Sequence, residues 1–300
     1  MKILMTGGTG LIGSTFINKF SSKYHFDVLS RQTGDLSSRF GNEAKVNVIS
    51  SLNYLKHLDD YQAVINLAGE PIAEKRWSQK QKHSICHSRW NLTSQLSKLI
   101  NDSTTPPNTF ISGSAVGFYG RQGNETITEQ WTDVYPEFSH TICKVWEEKA
   151  WLSQHKSRVC ILRTGIVLDK NKGALKKMLP AFKFGLGGRF STGTQFMSWI
   201  HIDDMVNAIE FLLNNQQCQG QFNLTAPKPV TNKEFCQILA KTLRRPNLAT
   251  MPAFVLRILF GEMADLFLYG QKVVPEKLLS ANFKFTHPNL QSALHHLLKS

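Results

Sequence analysis

The sequence predicts an α/β protein, a doubly wound parallel sheet carrying a smaller C-terminal lobe. Three observations lead there. A short apolar run at residues 3–5 feeds straight into glycines 7, 8, 10 and 13, with an apolar-periodic helix behind them. Further short apolar runs ending in small residues alternate with helical stretches through the first two-thirds of the chain, the rhythm of βαβ units. The final third loses that rhythm, which marks the lobe.

The glycines satisfy two spacings at once. Gly8, Gly10 and Gly13 give G-x-G-x-x-G, and Gly7, Gly10 and Gly13 give the wider G-x-x-G-x-x-G. Such a turn needs positive φ, a close approach of a diphosphate to the backbone, and a helix packed tightly on the strand. The helix opens at Leu11 and Ile12 and continues its apolar face through Phe16, Ile17 and Phe20. Its free N–H groups and positive dipole end then face a pyrophosphate. Gly7, Thr9, Gly10, Leu11, Ile12 and Gly13 are therefore the expected contacts of a dinucleotide.

The second strand, 25–29, runs into Ser30 and Arg31. A site for NAD typically places an acid here to bond the ribose 2′-hydroxyl, and Asp27 falls too early. Arg31, with Ser30 as an added donor, instead suits a 2′-phosphate, so the expected cofactor is NADP.

Residues 46–49 read as a third strand and 63–68 as a fourth, closing on Leu67, Ala68 and Gly69, where a cofactor can lie against backbone. A polar, basic stretch leads into a helix over 84–100, and Pro106-Pro107 breaks the chain before a fifth strand, 109–112. That strand ends at Ser112 in a second small-residue turn containing Ser114. A helix follows from Glu137 through Trp151, then a sixth strand from 158 extending past Arg163 to 168. Residues 199–204 open a helix to 213, with Asp203 or Asp204 suited to its cap or first turn. A strand at 221–224, a Thr231-capped helix over 232–242 and an apolar helix from Pro252 to about 268 complete the chain. The expected division is 1–168 with 197–225 for the dinucleotide, and 169–196 with 226–300 for the lobe.

Composition narrows the class. A hydrophobic content of 41% over 300 residues supports a large core. Five scattered cysteines with no C-x-x-C argue against a disulfide framework or zinc site, and the N-terminal apolar run is too short for a signal peptide. The expected location is cytoplasmic, with no membrane partner. The net charge of +13 concentrates between 169 and 189, where six Lys/Arg face one acid among interleaved glycines. This reads either as a solvated face or as a basic loop-helix-loop over a pocket for an anionic small molecule. No nucleic-acid module accompanies the charge, so nucleic acid is not an expected partner. Monomer and homodimer both stay open.

Five features in order resemble the extended short-chain dehydrogenase/reductases: Thr6 to Gly13, Asn66 to Gly69, Ser112-Gly113-Ser114 with Tyr119-Gly120, Arg163-Thr164-Gly165, and Trp199 to Asp204. The runs 66–73, 112–120 and 252–261 are similar to its atypical, YfcH-like branch of "epimerase family" proteins. The resemblance implies a Rossmann-type fold and NAD(P) chemistry, with a nucleotide-linked substrate among the options. It adds Ser112 and Arg163 to the cofactor contacts, and Ser114 as the hydroxyl that bonds the reacting oxygen.

The resemblance breaks at the catalytic centre. The family's reaction uses a tyrosine as general acid/base and a lysine four residues on, yet none of the six tyrosines here has a lysine at that spacing. On the helix from Glu137, two registers remain: Ser139 with Cys143 if Glu147 is the family's helix acid, or His140 with Lys144 if it is Glu148. An imidazole beside a lysine would serve as a neutral base near physiological pH. The catalytic set to test is therefore Ser114, His140, Cys143 and Lys144. The expectation is an NADP-binding oxidoreductase or epimerase-like protein without the usual dyad, and the alternative is a non-catalytic NADP(H) sensor or scaffold.

Overall fold

In the computed structural model, which describes residues 1–31, 40 and 45–299, seven strands form one parallel sheet. They are β1 (Lys2–Thr6), β2 (His25–Leu29), β3 (Val46–Ile49), β4 (Ala63–Asn66), β5 (Thr109–Ala115), β6 (Arg158–Thr164) and β7 (Gly220–Leu224). Their spatial order is β7-β6-β5-β4-β1-β2-β3, with the reversal between β1 and β4. The fold is the doubly wound α/β class that the alternating pattern predicts.

Alternation along β1 explains the layering. Ile3 and Met5 join a core with Phe16 and Ile17 of helix α1 (Leu11–Phe20) and Ile209 of the later helix 202–214, whereas Leu4 points the other way, to Leu96 and Ala150. Those last two lie on α2 (Gln79–Asn101) and α3 (Phe138–Trp151). A strand buried on both faces has no polar alternation, which is why β1 reads as a continuous apolar run. The register sets Thr6 beside Leu29 and Asn66, Asn66 beside Ser112, and Ala115 and Leu224 beside Thr164. The carboxyl ends of six strands therefore line one edge, where ligands of such sheets bind.

The chain leaves the sheet at Gly165. A Cβ there would lie 2.4 Å from the Ser198 carbonyl, so only glycine lets the two segments cross. Residues Ile166–Leu168 then pair with Trp199–His201 in a separate parallel ladder rather than prolonging β6. Between them lies α4 (Gly173–Lys183), and after them α5 (Ile202–Asn214) and α6 (Asn232–Leu243), the latter with a Thr231–Glu234 capping box.

Several boundaries differ from the sequence expectation. α2 starts at Gln79, capped by Ser78, because its polar first turn hides the periodicity. The apolar stretch after Pro252 is not one helix: α7 (Ala253–Phe260) stops at Gly261, whose φ of +61° a continuing helix would not adopt. A C-terminal helix, α8 (Leu290–Lys299), was not anticipated. Among the described residues, no helix is long and apolar enough to cross a membrane.

Candidate functional site

The three glycines of the wider spacing do different work. Gly7 has φ +71°, and a Cβ on it would sit 2.6 Å from the Leu67 carbonyl carbon. Gly13 packs against the same turn, where a Cβ would come within 2.3 Å of the Gly7 oxygen. Gly10 meets only that oxygen, at 3.2 Å, and is exposed, so space lies above it. Gly8 is an internal packing position, with Val28 Cγ1 2.7 Å from its would-be Cβ. α1 starts at Gly10 with no side-chain cap and no acid in its first turn, leaving its N–H groups for an anion. Thr9, Leu11 and Ile12 border this opening. A cavity of about 320 Å3 beside it is lined by Thr9, Ser14, Asn18, Phe40 and Lys172.

Ser30 is buried and Arg31 exposed at the end of β2, one strand away from the turn. Asp27 is committed elsewhere, accepting from Tyr61 Oη at 2.7 Å and pairing with Lys2 at 3.1 Å. Among the described residues, no acid therefore stands at the strand end. Behind Leu67 and Ala68 a buried polar chain ties the strand ends together: Thr6 Oγ1 donates to Asn66 Oδ1 (2.6 Å), and Asn66 Nδ2 to Thr93 Oγ1 (2.8 Å) and Ser112 Oγ (3.4 Å). Ser112 is thus a brace of this edge. Gly69 is exposed beside the Arg89 guanidinium, 2.7 Å from its would-be Cβ.

The helix α3 resolves the register. Glu147 is buried and Glu148 exposed, so Ser139 and Cys143 face inward while Lys144 points out. Glu147 receives Arg163 through two bonds, Nε to Oε1 at 2.9 Å and Nη2 to Oε2 at 2.8 Å, and Ser114 Oγ donates to the same Oε1 at 2.6 Å. Arg163 gives its third nitrogen to Tyr119 Oη at 3.2 Å and stacks 3.5 Å over the Phe118 ring. Arg163 thus ties α3 to the sheet and the Ser114 hydroxyl is turned to a buried carboxylate, at positions where the sequence reading expects a cofactor contact and a substrate-facing hydroxyl.

Lys144, one turn after His140, is exposed. His140 Nδ1 meets the Phe118 carbonyl, which can only accept, so Nδ1 carries a proton. Cys143 is buried against Ser114 and Ala115, and burial, reinforced by Glu147, pushes its pKa up to about 11. It is a protonated thiol at neutral pH. Ser139 donates to Glu137 Oε1 at 2.6 Å, whose other oxygen takes Arg121 Nε at 3.0 Å. Tyr119, fully buried, donates to Asn223 at 2.7 Å; burial raises its pKa, so it is no substitute phenol.

Two cations lie near these elements: Arg89, which the sequence reading did not single out, and Lys172, which it placed only within the basic segment. Arg89 lies over Trp146, 5.1 Å from the ring centroid, and its charge acts on Cys143. Lys172, from the basic segment, bonds Ser14 Oγ of α1 at 3.2 Å. Neither had a spacing signal, because each is brought in from another element. His201 is a fully buried helix cap, its Nδ1 accepting from the Asp203 N–H at 3.0 Å.

A glycine turn opening onto a helix N-terminus at the sheet's reversal point, with Arg31 at the end of the second strand, defines a dinucleotide-binding fold of the extended dehydrogenase/reductase type. The chain belongs to the NAD dependent epimerase/dehydratase family, whose model matches residues 3–225. Residues 251–297 match a domain of unknown function, DUF1731. An epimerase family protein of Staphylococcus aureus (strain MW2) is 34% identical over 99% of this chain and 98% of its own. The chloroplastic SDR39U1 homolog of Arabidopsis thaliana is 35% identical over 100% and 87%. The crystal structure of human epimerase family protein SDR39U1, solved with NADPH, superposes with a TM-score of 0.92 at 29% identity, covering 100% of both chains. A Bacillus cereus UDP-glucuronic acid 4-epimerase shares the fold, at 16% identity and TM-score 0.76 over 99% and 98%.

Proposed function

We propose that this protein is an NADP(H)-dependent oxidoreductase or epimerase-like enzyme acting on an anionic, nucleotide-linked small molecule without the Tyr-x-x-x-Lys dyad. One observation carries the reading: the open approach at Gly10 onto the uncapped start of α1, with Arg31 rather than an acid at the end of β2. The NADPH bound by the human relative supports it. The residues fit a dinucleotide. Gly7 and Gly13 shape the turn, the N–H groups of residues 11–13 face the diphosphate, and Arg31 takes the 2′-phosphate by charge-assisted bonds. When bound, the nicotinamide supplies hydride acceptance and donation at carbon 4.

The chain's own task is then to position a substrate carbon and move one proton. The candidate proton carrier on α3 is His140, whose Nδ1 bonds the Phe118 carbonyl and which lies one residue off the inward-facing Ser139–Cys143 row. Arg89 supplies positive charge beside Cys143, the position where the family's pattern has its lysine.

Calorimetric titration tests the cofactor assignment. Arg31→Ala should weaken NADPH by roughly 1.5–3 kcal/mol and leave NADH nearly unchanged. Equal losses for both cofactors would remove the 2′-phosphate role. Turnover is read from the fluorescence of bound NADPH, which should fall on exposure to pooled nucleotide-sugar ketones, and His140→Asn should slow that step by about a hundredfold. Steady fluorescence across such pools, with tight cofactor binding, would replace the enzyme reading by a sensor.

A further inference from the structure

Three imidazoles and a carboxylate converge away from the cofactor edge, where Trp199–His201, the first turn of α5 and the C-terminal helix meet. His201 is fully buried and His287 nearly so; His296 comes from the exposed side of α8 and Asp203 from α5. One ligand atom from each of the four lies within 4.8 Å of the others. The rings touch in a triangle, with centroids 3.9 Å apart for His201–His287, 4.6 Å for His287–His296 and 5.1 Å for His201–His296.

The hydrogen bonds say where the protons are. His201 Nδ1 accepts from the Asp203 N–H at 3.0 Å, so a neutral ring carries its proton on Nε2. That nitrogen donates to His296 Nδ1, 3.1 Å away. Two imidazole nitrogens on a tetrahedral ion, each about 2.0–2.1 Å from it, stand about 3.3 Å apart. The two nitrogens are thus already spaced as ligands, with a proton where an ion would sit. His287 is held in place through its own backbone: Asp204 accepts from the N–H groups of Thr286 (2.7 Å) and His287 (2.9 Å).

We propose that His201, His287 and His296 form a three-imidazole site for a borderline divalent ion of the Zn2+ or Co2+ kind. Imidazole nitrogens suit these ions. On binding, the proton on His201 moves from Nε2 to Nδ1 and is accepted by the Asp203 carboxylate, now 3.7 Å from that nitrogen. The Asp203 N–H then gives up its cap. A carboxylate behind a ligating histidine is the usual means of fixing the ring. The ion would staple the C-terminal helix to the start of α5, directly after the strand that returns from the lobe.

The test uses the full chain, stripped of metal by chelation and dialysis, then titrated with Co2+ by visible absorption and with Zn2+ by calorimetry and thermal melting. One equivalent should bind, with the intense visible bands of four-coordinate cobalt and a higher melting temperature in Zn2+. His296→Gln, at an exposed position, should keep the fold and NADPH affinity and lose the equivalent. Asp203→Asn should weaken it by about 10–100-fold. Absence of stoichiometric binding overturns the proposal. So does binding that persists in His296→Gln, including binding that His83→Gln abolishes, since His83 and His87 stack on α2 as a separate pair.

Discussion

Replacing Glu147 by glutamine isolates the pair that anchors α3. Its carboxylate takes two bonds from Arg163 and one from Ser114, with both charged side chains only 5–6% exposed. Opposite charges about 4 Å apart attract by about 4 kcal/mol at an effective dielectric of about 20, and the desolvation of both ions offsets much of that in the intact pair. Removing one charge is different. Glutamine keeps the shape and can still accept from Ser114, but it leaves the Arg163 guanidinium buried without a counter-charge, a loss of about 3–5 kcal/mol. For a chain this long, roughly 2 °C per kcal/mol converts this to a melting temperature about 6–10 °C lower. Urea unfolding followed by circular dichroism measures it against Glu148→Gln, one residue away and exposed, where the change should stay within about 0.5 kcal/mol. Replacing Glu147 and Arg163 together by methionine should recover most of the loss. Equal stability of Glu147→Gln and Glu148→Gln would refute the anchoring role.

The glycine turn separates binding from folding. Gly10→Val should leave the melting temperature close to wild type and abolish NADPH binding, whereas Gly13→Ala should unfold first, because its methyl has the Gly7 oxygen 2.3 Å away; the two melts and two titrations tell them apart. All five cysteines are buried and unpaired with each other, and with a pKa of about 11 Cys143 is roughly one part in a thousand thiolate at pH 8. Alkylation of the native protein at that pH should therefore leave Cys143 unlabelled by mass spectrometry until urea is added, and rapid native labelling would contradict the buried setting.

Much of the sheet was legible because burial on both faces writes strands as apolar runs: β1 to β4 lie where the sequence places them. Gly165 was read as part of one long strand because local pattern cannot show that another segment crosses at that point. α8 was missed for a related reason: its apolar face packs on α6, a partner from elsewhere in the chain. At the site, the glycine turn announced itself through residue type and spacing. The direction of Ser114 and Arg163 did not, since both are decided by Glu147 from a helix more than 10 residues distant in sequence on either side. The register of α3 was left between two choices because Glu147 and Glu148 are adjacent and chemically identical; only burial distinguishes them.

That anchoring has a consequence for how such proteins change. Glu147 fixes the rotation of α3 one and two turns beyond Cys143 and Ser139, and the residues at 139 and 143 take no part in the grip. A side chain at either position can be exchanged without touching the Glu147–Arg163 bonds that keep the helix in its seat.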